Sequence, residues 1–213
     1  MKCFVLNGWA ASPDAWSLSG FPRDRIFSYV EQLDGEAERA LAQSGGAVLV
    51  GWSMGGSTAL RLALDYPEKV KAMVLLAAMP RMMEERESGW RGMSPRRLEA
   101  LRRGLEITLE EGFSARLDGR PNPYMADTDG NLDRGLEYLR ETDLRGALEK
   151  AAPLKMPAAI FQAERDGIVR ASNAEYLAGL FENACLTMVE GSEHALPVEI
   201  PRLVDDAVSR LMR

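Results

Sequence analysis

An apolar run, Ala47-Val48-Leu49-Val50, passes directly into Gly51-Trp52-Ser53-Met54-Gly55, and a helix-like stretch from Gly56 to Tyr66 follows. A short run of this kind bounded by turn residues suits a buried strand of a parallel sheet. A strand that must turn at once into a helix crowds its neighbours at the turn, so small residues are needed on either side of the apex. The apex residue, Ser53, then stands clear of the sheet, above a helix N-terminus that favours negative charge. Glycine and serine are common, and the five-residue pattern alone fits an ordinary glycine-rich turn. The strand before it and the helix after it make Ser53 a candidate nucleophile.

A serine nucleophile needs a base, and the chain holds one histidine, His194. A lone histidine is most often a satisfied structural residue. Here it lies in Gly191-Ser192-Glu193-His194-Ala195, after the strand-like Leu186–Val189 and before an amphipathic pattern from Pro201 to Met212. An acid to orient it is expected between the two, at the end of a strand. Ala158–Ala163 reads as that strand, and Glu164-Arg165-Asp166-Gly167 follows. Asp166 is favoured, with Glu164 the alternative closer to the strand. Neutral His194 would take the Ser53 proton during attack on a carbonyl and return it to the leaving group, while Asp166 fixes the imidazole tautomer. Two backbone donors are also needed for the oxyanion. The Met54 amide, next after the serine, is one candidate. The Trp9 amide, in Asn7-Gly8-Trp9-Ala10 after the first strand, is the other.

The wider pattern alternates strand and helix, which implies a parallel sheet covered on both faces. Candidate strands are Lys2–Leu6, Arg25–Val30, Ala47–Val50, Ala72–Ala77, Ala158–Ala163 and Cys185–Val189. Glu36–Gln43, Thr58–Asp65, Ala174–Leu180 and Pro201–Met212 read as helices. The expected fold is therefore α/β, with an abbreviated, mostly parallel sheet of about six strands. A length of 213 residues with 46% hydrophobic content suffices for one core. A net charge of −6 gives no pull toward nucleic acid or an anionic membrane. Cys3 and Cys185 fall in predicted strands, where cysteine is a small buried hydrophobe. The four apolar residues from Cys3 to Leu6 are too few for a signal-peptide core, and no apolar run approaches spanning length. A soluble, cytoplasmic monomer is expected, with no metal and no cofactor.

Residues 80–153 interrupt the alternation, dividing the chain into a core of 1–79 and 154–213 and a helical cap. Leu98, Leu101, Leu105 and Leu109 recur at helical spacing, as do Leu132, Leu136 and Leu139. Such an insertion would lie over the carboxyl ends of the strands and shape a pocket. Most of its apolar residues are packing; Met82, Met83, Trp90 and Met93 are candidates for the pocket wall, with Trp9 and Trp52 beside the serine. From Arg81 to Arg103 seven arginines face only Glu84, Glu85, Glu87 and Glu99. One reading is a solvated helix face with internal pairs. The other is a dock, centred on Arg96, Arg97, Arg102 and Arg103, for an acidic or phosphate-bearing partner. Asp127-Thr128-Asp129-Gly130-Asn131 lacks the later ligands of a calcium loop and reads as an entry into a helix.

Together these residues resemble a known family. Gly8-Trp9, Gly51-Trp52-Ser53-Met54-Gly55-Gly56, the segment from Gly135 to Arg145, Asp166-Gly167 and His194-Ala195 are similar to the BioH-type pimeloyl-[acyl-carrier protein] methyl ester esterases of biotin synthesis, within the α/β-hydrolases. The chain order Ser, Asp, His is that of the superfamily. The resemblance implies a triad of Ser53, Asp166 and His194 and oxyanion donors at Trp9 and Met54. It also implies hydrolysis of a methyl ester on a pimeloyl chain held by acyl carrier protein, with basic cap residues meeting that acidic carrier. Asn7 departs from the pattern, standing where the family usually has a His-Gly pair. A general carboxylesterase or thioesterase, and a binding protein on the same fold, are the competing readings.

Overall fold

The structure is a computed structural model that describes residues 1–110, 122–125 and 127–213. The side chains of Leu105 and Leu109 lie outside the described residues. Among the described residues six strands form one all-parallel sheet in the order β2-β1-β3-β4-β5-β6. They are β1 (Lys2–Leu6), β2 (Ile26–Phe27), β3 (Ala47–Trp52), β4 (Val70–Leu76), β5 (Ala158–Ala163) and β6 (Ala184–Val189). The chain runs from β1 out to β2 and back to β3 on the other side of β1. The strand order therefore reverses between β1 and β3, and the crevice at their carboxyl ends is where an open α/β sheet takes its ligands.

The central strands β1, β3, β4 and β5 bury both faces, which is why they read as apolar runs instead of alternating ones. Phe4, Leu6, Leu49, Met73, Leu75 and Ile160 point to one side. There they meet Leu41 of α2 (Glu36–Ala42), Leu60 and Leu62 of α3 (Met54–Asp65) and Leu177 of α7 (Ala171–Ala178). Val5, Val50, Val74 and Leu76 point to the other side, against Trp16, Trp52 and the Val204 and Val208 face of α9 (Pro201–Leu211). Among the described residues no helix is long and apolar enough to cross a membrane.

Two local expectations change. The strand predicted over Arg25–Val30 pairs only at Ile26–Phe27, because Ser28 caps a helix, α1 (Tyr29–Leu33). The Ser28 hydroxyl accepts from the Glu31 amide at 3.2 Å, and the Glu31 carboxylate accepts from the Ser28 amide at 2.7 Å. That reciprocal cap outweighs the strand pattern. Cys3 is buried as expected, but Cys185 is exposed, because β6 is the edge of the sheet.

The insertion is not helical throughout. Arg81 to Met93 forms a folded loop held by isolated bridges, Met83 with Met93 and Glu85 with Trp90. Gly89 turns it at φ +73°, and a side chain at Gly92 would collide with the Met83 backbone. Helices α4 (Pro95–Glu110) and α5 (Asp129–Glu141) follow. The third, α6 (Arg145–Ala151), sets Leu148 into the core beside α3 and packs with the flanking helices of the sheet.

Candidate active site

The turn after β3 has the form its sequence demands. Ser53 sits at φ +54°, ψ −119°, a conformation that side chains rarely adopt and that the surrounding packing must enforce. That packing is backbone on backbone. A Cβ at Gly55 would lie 2.0 Å from the Leu6 carbonyl oxygen, and one at Gly51 would lie 2.6 Å from the Gly55 oxygen. Glycine is required at both sites because α3 starts directly against the ends of β1 and β3.

Three side chains from three loops form one hydrogen-bonded line. Ser53 Oγ lies 3.0 Å from His194 Nε2, and His194 Nδ1 lies 2.8 Å from Asp166 Oδ2. An ionised carboxylate only accepts, so Nδ1 carries the proton and Nε2 of the neutral ring is left to accept from the serine hydroxyl. Burial pushes the Asp166 carboxyl up. The facing His194 and the amides of Val169 and Ile168, both at 2.8 Å, more than offset this and hold it below the usual carboxylate range. Asp166 is thereby kept charged where a base-orienting acid must be. Glu164, the alternative acid, turns away and accepts from the Gly191 amide at 2.9 Å.

Both candidate oxyanion residues lie beside Ser53. Met54 opens α3, so its N–H has no intrahelical partner. Among the described residues, neither the Met54 nor the Trp9 N–H donates to another backbone carbonyl. Gly8 lies directly against the serine: a Cβ there would be 3.5 Å from Ser53 Cβ.

The cavity above Ser53 has a volume of about 350 Å³. Trp9, Met82, Leu101, Leu139 and Ile168 give it an apolar wall, with Tyr124 and His194 beside the serine. Burial, and then the carboxylates of Asp166, Glu199 and Glu193, push the Tyr124 phenol far up, so it stays protonated. Of the expected pocket residues, Trp9 and Met82 line this cavity and Trp52 and Trp90 do not. Trp52 is 1% exposed and its indole N–H donates to the His194 carbonyl at 2.9 Å, so it holds the histidine loop from behind. Trp90 donates to the Arg81 carbonyl, meets Tyr176 of α7 edge-on at 5.3 Å and lies under the Arg145 guanidinium. Met83 and Met93 are buried around their own bridge.

The arginines divide. Arg102 is buried and paired with Asp129 and Asp133, which joins α4 to α5 and removes it from any outer patch. Arg81 is occupied by Glu85 and Asp143. Arg97 is exposed and donates to the Gly167 carbonyl at 2.6 Å, next to Asp166. Arg86, Arg91, Arg96 and Arg103 are exposed and, among the described residues, unpaired. The Asp127–Asn131 segment is a helix entry: Thr128 caps α5, and Asp127 accepts from the Tyr29 hydroxyl at 2.6 Å.

Two supporting residues gave no recognisable pattern in the sequence. Gln162, fully buried at the end of β5, donates to the Val169 carbonyl at 3.0 Å and to Asp166 Oδ2 at 3.3 Å. Asn7, also fully buried, donates to the Ala11 carbonyl and accepts from the Trp16 indole, each at 3.0 Å. Asn7 thus staples the loop that bears Trp9. The only hint of either role in the sequence is a polar residue at the buried end of an apolar strand.

Comparison with known proteins agrees with this geometry. A family model described as "alpha/beta hydrolase fold" matches residues 7–199. A pimeloyl-[acyl-carrier protein] methyl ester esterase from Aliivibrio fischeri is 30% identical, over 90% of this chain and 85% of the relative. The protein of the same name from Salmonella newport is 27% identical, over 97% of this chain and 92% of the relative. Among solved structures, an esterase from Exiguobacterium antarcticum superposes with a TM-score of 0.75 at 17% identity, covering all of this chain (100%) and 92% of that one.

Proposed function

The chain belongs to the alpha/beta hydrolase fold family, and from that premise we propose that it is a serine esterase acting on the methyl ester of a pimeloyl chain carried by acyl carrier protein. The observation that carries the esterase reading is the line from Ser53 through His194 to Asp166, set under an apolar cavity. In the first half-reaction Ser53 Oγ attacks the ester carbonyl while His194 Nε2 takes its proton. The new imidazolium is stabilised by Asp166. The tetrahedral oxyanion takes hydrogen bonds from the Met54 and Trp9 amides, each donor being worth about two to three orders of magnitude in turnover. His194 returns the proton to the departing methoxide, leaving an acyl-serine and free methanol. Water, deprotonated by the same nitrogen, then releases the carboxylic acid.

The substrate rests on different support. The curated relatives bear the name of that activity, the cavity wall suits a methylene chain, and four arginines stand exposed on the insertion. Arg86, Arg91, Arg96 and Arg103 are then the residues to meet the acidic carrier, with Arg97 partly committed to Gly167.

The test compares hydrolysis of the carrier-linked methyl ester with that of free monomethyl pimelate, with Ser53→Ala as the blank. The proposal expects at least about a tenfold preference for the carrier-linked ester, lost at high salt because exposed charges are screened. Equal rates on both esters would leave a general carboxylesterase.

A further inference from the structure

Among the described residues Trp9 makes no backbone hydrogen bond, although its neighbours do. The Gly8 carbonyl accepts from the Ala11 amide, and the Ala10 carbonyl accepts from the Met125 amide. Trp9 is held instead by its side chain, which is 8% exposed and donates Nε1–H to the Leu132 carbonyl of α5 at 3.0 Å. The pyrrole edge of the ring lies against that helix at Gly135. A Cβ there would be 2.4 Å from Trp9 Cδ1, 2.7 Å from Nε1 and 3.2 Å from Tyr29 Cδ2. None of these atoms is the free end of a flexible chain, since Tyr29 is 1% exposed and its hydroxyl is bound to Asp127.

We infer that Gly135 is a positioning residue for the oxyanion hole: the side chain it lacks is what lets cap helix α5 seat the Trp9 indole, and through it aim the Trp9 amide at the site above Ser53. This rests on the esterase reading and adds that half of the oxyanion hole is set from the cap. The core supplies the Met54 amide through the rigid start of α3. Among the described residues the Trp9 peptide has no backbone hydrogen bond of its own, so within a loop stapled by Asn7 the helix that holds its ring sets the final aim of the amide. A shift of about 1 Å in a group serving the transition state costs about a hundredfold, whereas ground-state binding in the cavity is little changed.

The test is Gly135→Ala, with Gly130→Ala as the control in the same helix, where a Cβ meets nothing within 4 Å. With p-nitrophenyl butyrate, Gly135→Ala should lower kcat about ten- to a hundredfold and change KM by less than about twofold. Gly130→Ala should match the wild type. In a Trp9→Leu background the Gly135→Ala change should cost less than about twofold, since the colliding ring is gone. A helix that merely needed glycine would lose the same amount in both backgrounds, and that result overturns the inference, as does a loss confined to KM.

An assay-independent readout is the indole N–H resonance of Trp9, assigned by its disappearance in Trp9→Phe. It should move and exchange faster with solvent in Gly135→Ala and stay in place in Gly130→Ala; an unmoved resonance overturns the inference. If Gly135→Ala does not fold, Trp9→Phe carries the test, because it removes the bond to Leu132 without adding bulk. It should lower kcat several-fold, KM being no readout here because Trp9 also lines the cavity, and an unchanged kcat overturns the inference. Wild-type protein that hydrolyses no ester and leaves Ser53 unlabelled by a fluorophosphonate would refute the esterase reading. The resonance would still decide whether Gly135 seats Trp9.

Discussion

The two walls of this site are built by different means. On the core side, Ser53 is fixed by backbone packed on backbone: Gly55 against the Leu6 carbonyl, Gly51 against Gly55, and α3 rising directly from β3. On the cap side backbone bridges are isolated, and many of the links are side chains reaching across the fold. The Trp9 indole meets Leu132, Arg102 pairs with Asp129 and Asp133, and Arg145 joins Asp143 to Glu85. Close backbone packing tolerates no added atom but keeps its geometry under any charge state. Side-chain links can be altered one at a time and respond to pH and salt. A hydrolase needs the first for its nucleophile, and the second leaves the pocket adjustable.

The largest expected effect separates chemistry from both frames. Ser53→Ala should abolish turnover by about four orders of magnitude or more. Its melting temperature should stay within about two degrees of the wild type, because among the described residues Ser53 Oγ makes a single hydrogen bond. Residual turnover near the wild-type level, or loss of fold, would show that the core wall does not isolate its nucleophile in this way.

Next is the intolerance of backbone packing. Gly55→Ala sets a Cβ 2.0 Å from a carbonyl oxygen in β1, which cannot rotate away. A loss of about 4 kcal/mol or more is expected in denaturant unfolding, among the largest for a single methyl group. Gly135→Ala, by contrast, meets side chains, and removing one ring relieves the two closest contacts. If both variants lost the same stability, the contrast between the two walls would be gone.

This contrast also explains what could be read from the chain. The elbow, five of the six strands and the strand-end positions of Ser53, Asp166 and His194 are legible because each depends on residues adjacent in sequence. The roles of Trp52, Trp90 and Arg102 are not legible in this way, because each is decided by a partner far along the chain. Trp52 looked like a pocket wall because it flanks the serine; its indole instead reaches a carbonyl 142 residues away. Arg102 looked like part of an outer face until α5 brought Asp129 and Asp133 against it. Gly135 carries no local signal either, since a glycine within a helix gains its meaning only from the ring opposite. The one local pattern missed was the Ser28-Glu31 capping box, which a strand propensity over Arg25–Val30 concealed.

A smaller effect tests the cap's dependence on charge. Hydrogen bonds from Arg145, and then from Arg81, outweigh burial and hold the Asp143 carboxyl down to about 2. Because the folded value is depressed, its stabilisation is complete above the unfolded value of about 4 and fades as the pH falls through the folded one. With Asp143 28% exposed, Asp143→Asn should cost about 1–2 kcal/mol at pH 7. The gap to the wild type should close between about pH 4 and pH 2 in melts across that range. A gap independent of pH would mean that shape, not charge, holds this part of the cap.

The smallest effect falls where the two modes of construction meet. Trp52 belongs to the elbow by position, yet it acts as the cap's residues do, sending one N–H to the His194 carbonyl at 2.9 Å. Its ring also lies 5.8 Å from the imidazole. Trp52→Phe keeps an aromatic ring and removes the donor, leaving a buried carbonyl on the loop that carries the base. The loss of one such bond, about 1–1.5 kcal/mol, corresponds to about tenfold in kcat if the loop's position serves only the transition state. KM should be unchanged, because Trp52 does not line the cavity. Fluorophosphonate labelling of Ser53 should slow in parallel, since it needs the same base. A rise in KM at constant kcat would return Trp52 to the pocket wall. A matched fall in kcat and labelling would show that the nucleophile's own strand also holds its base in place.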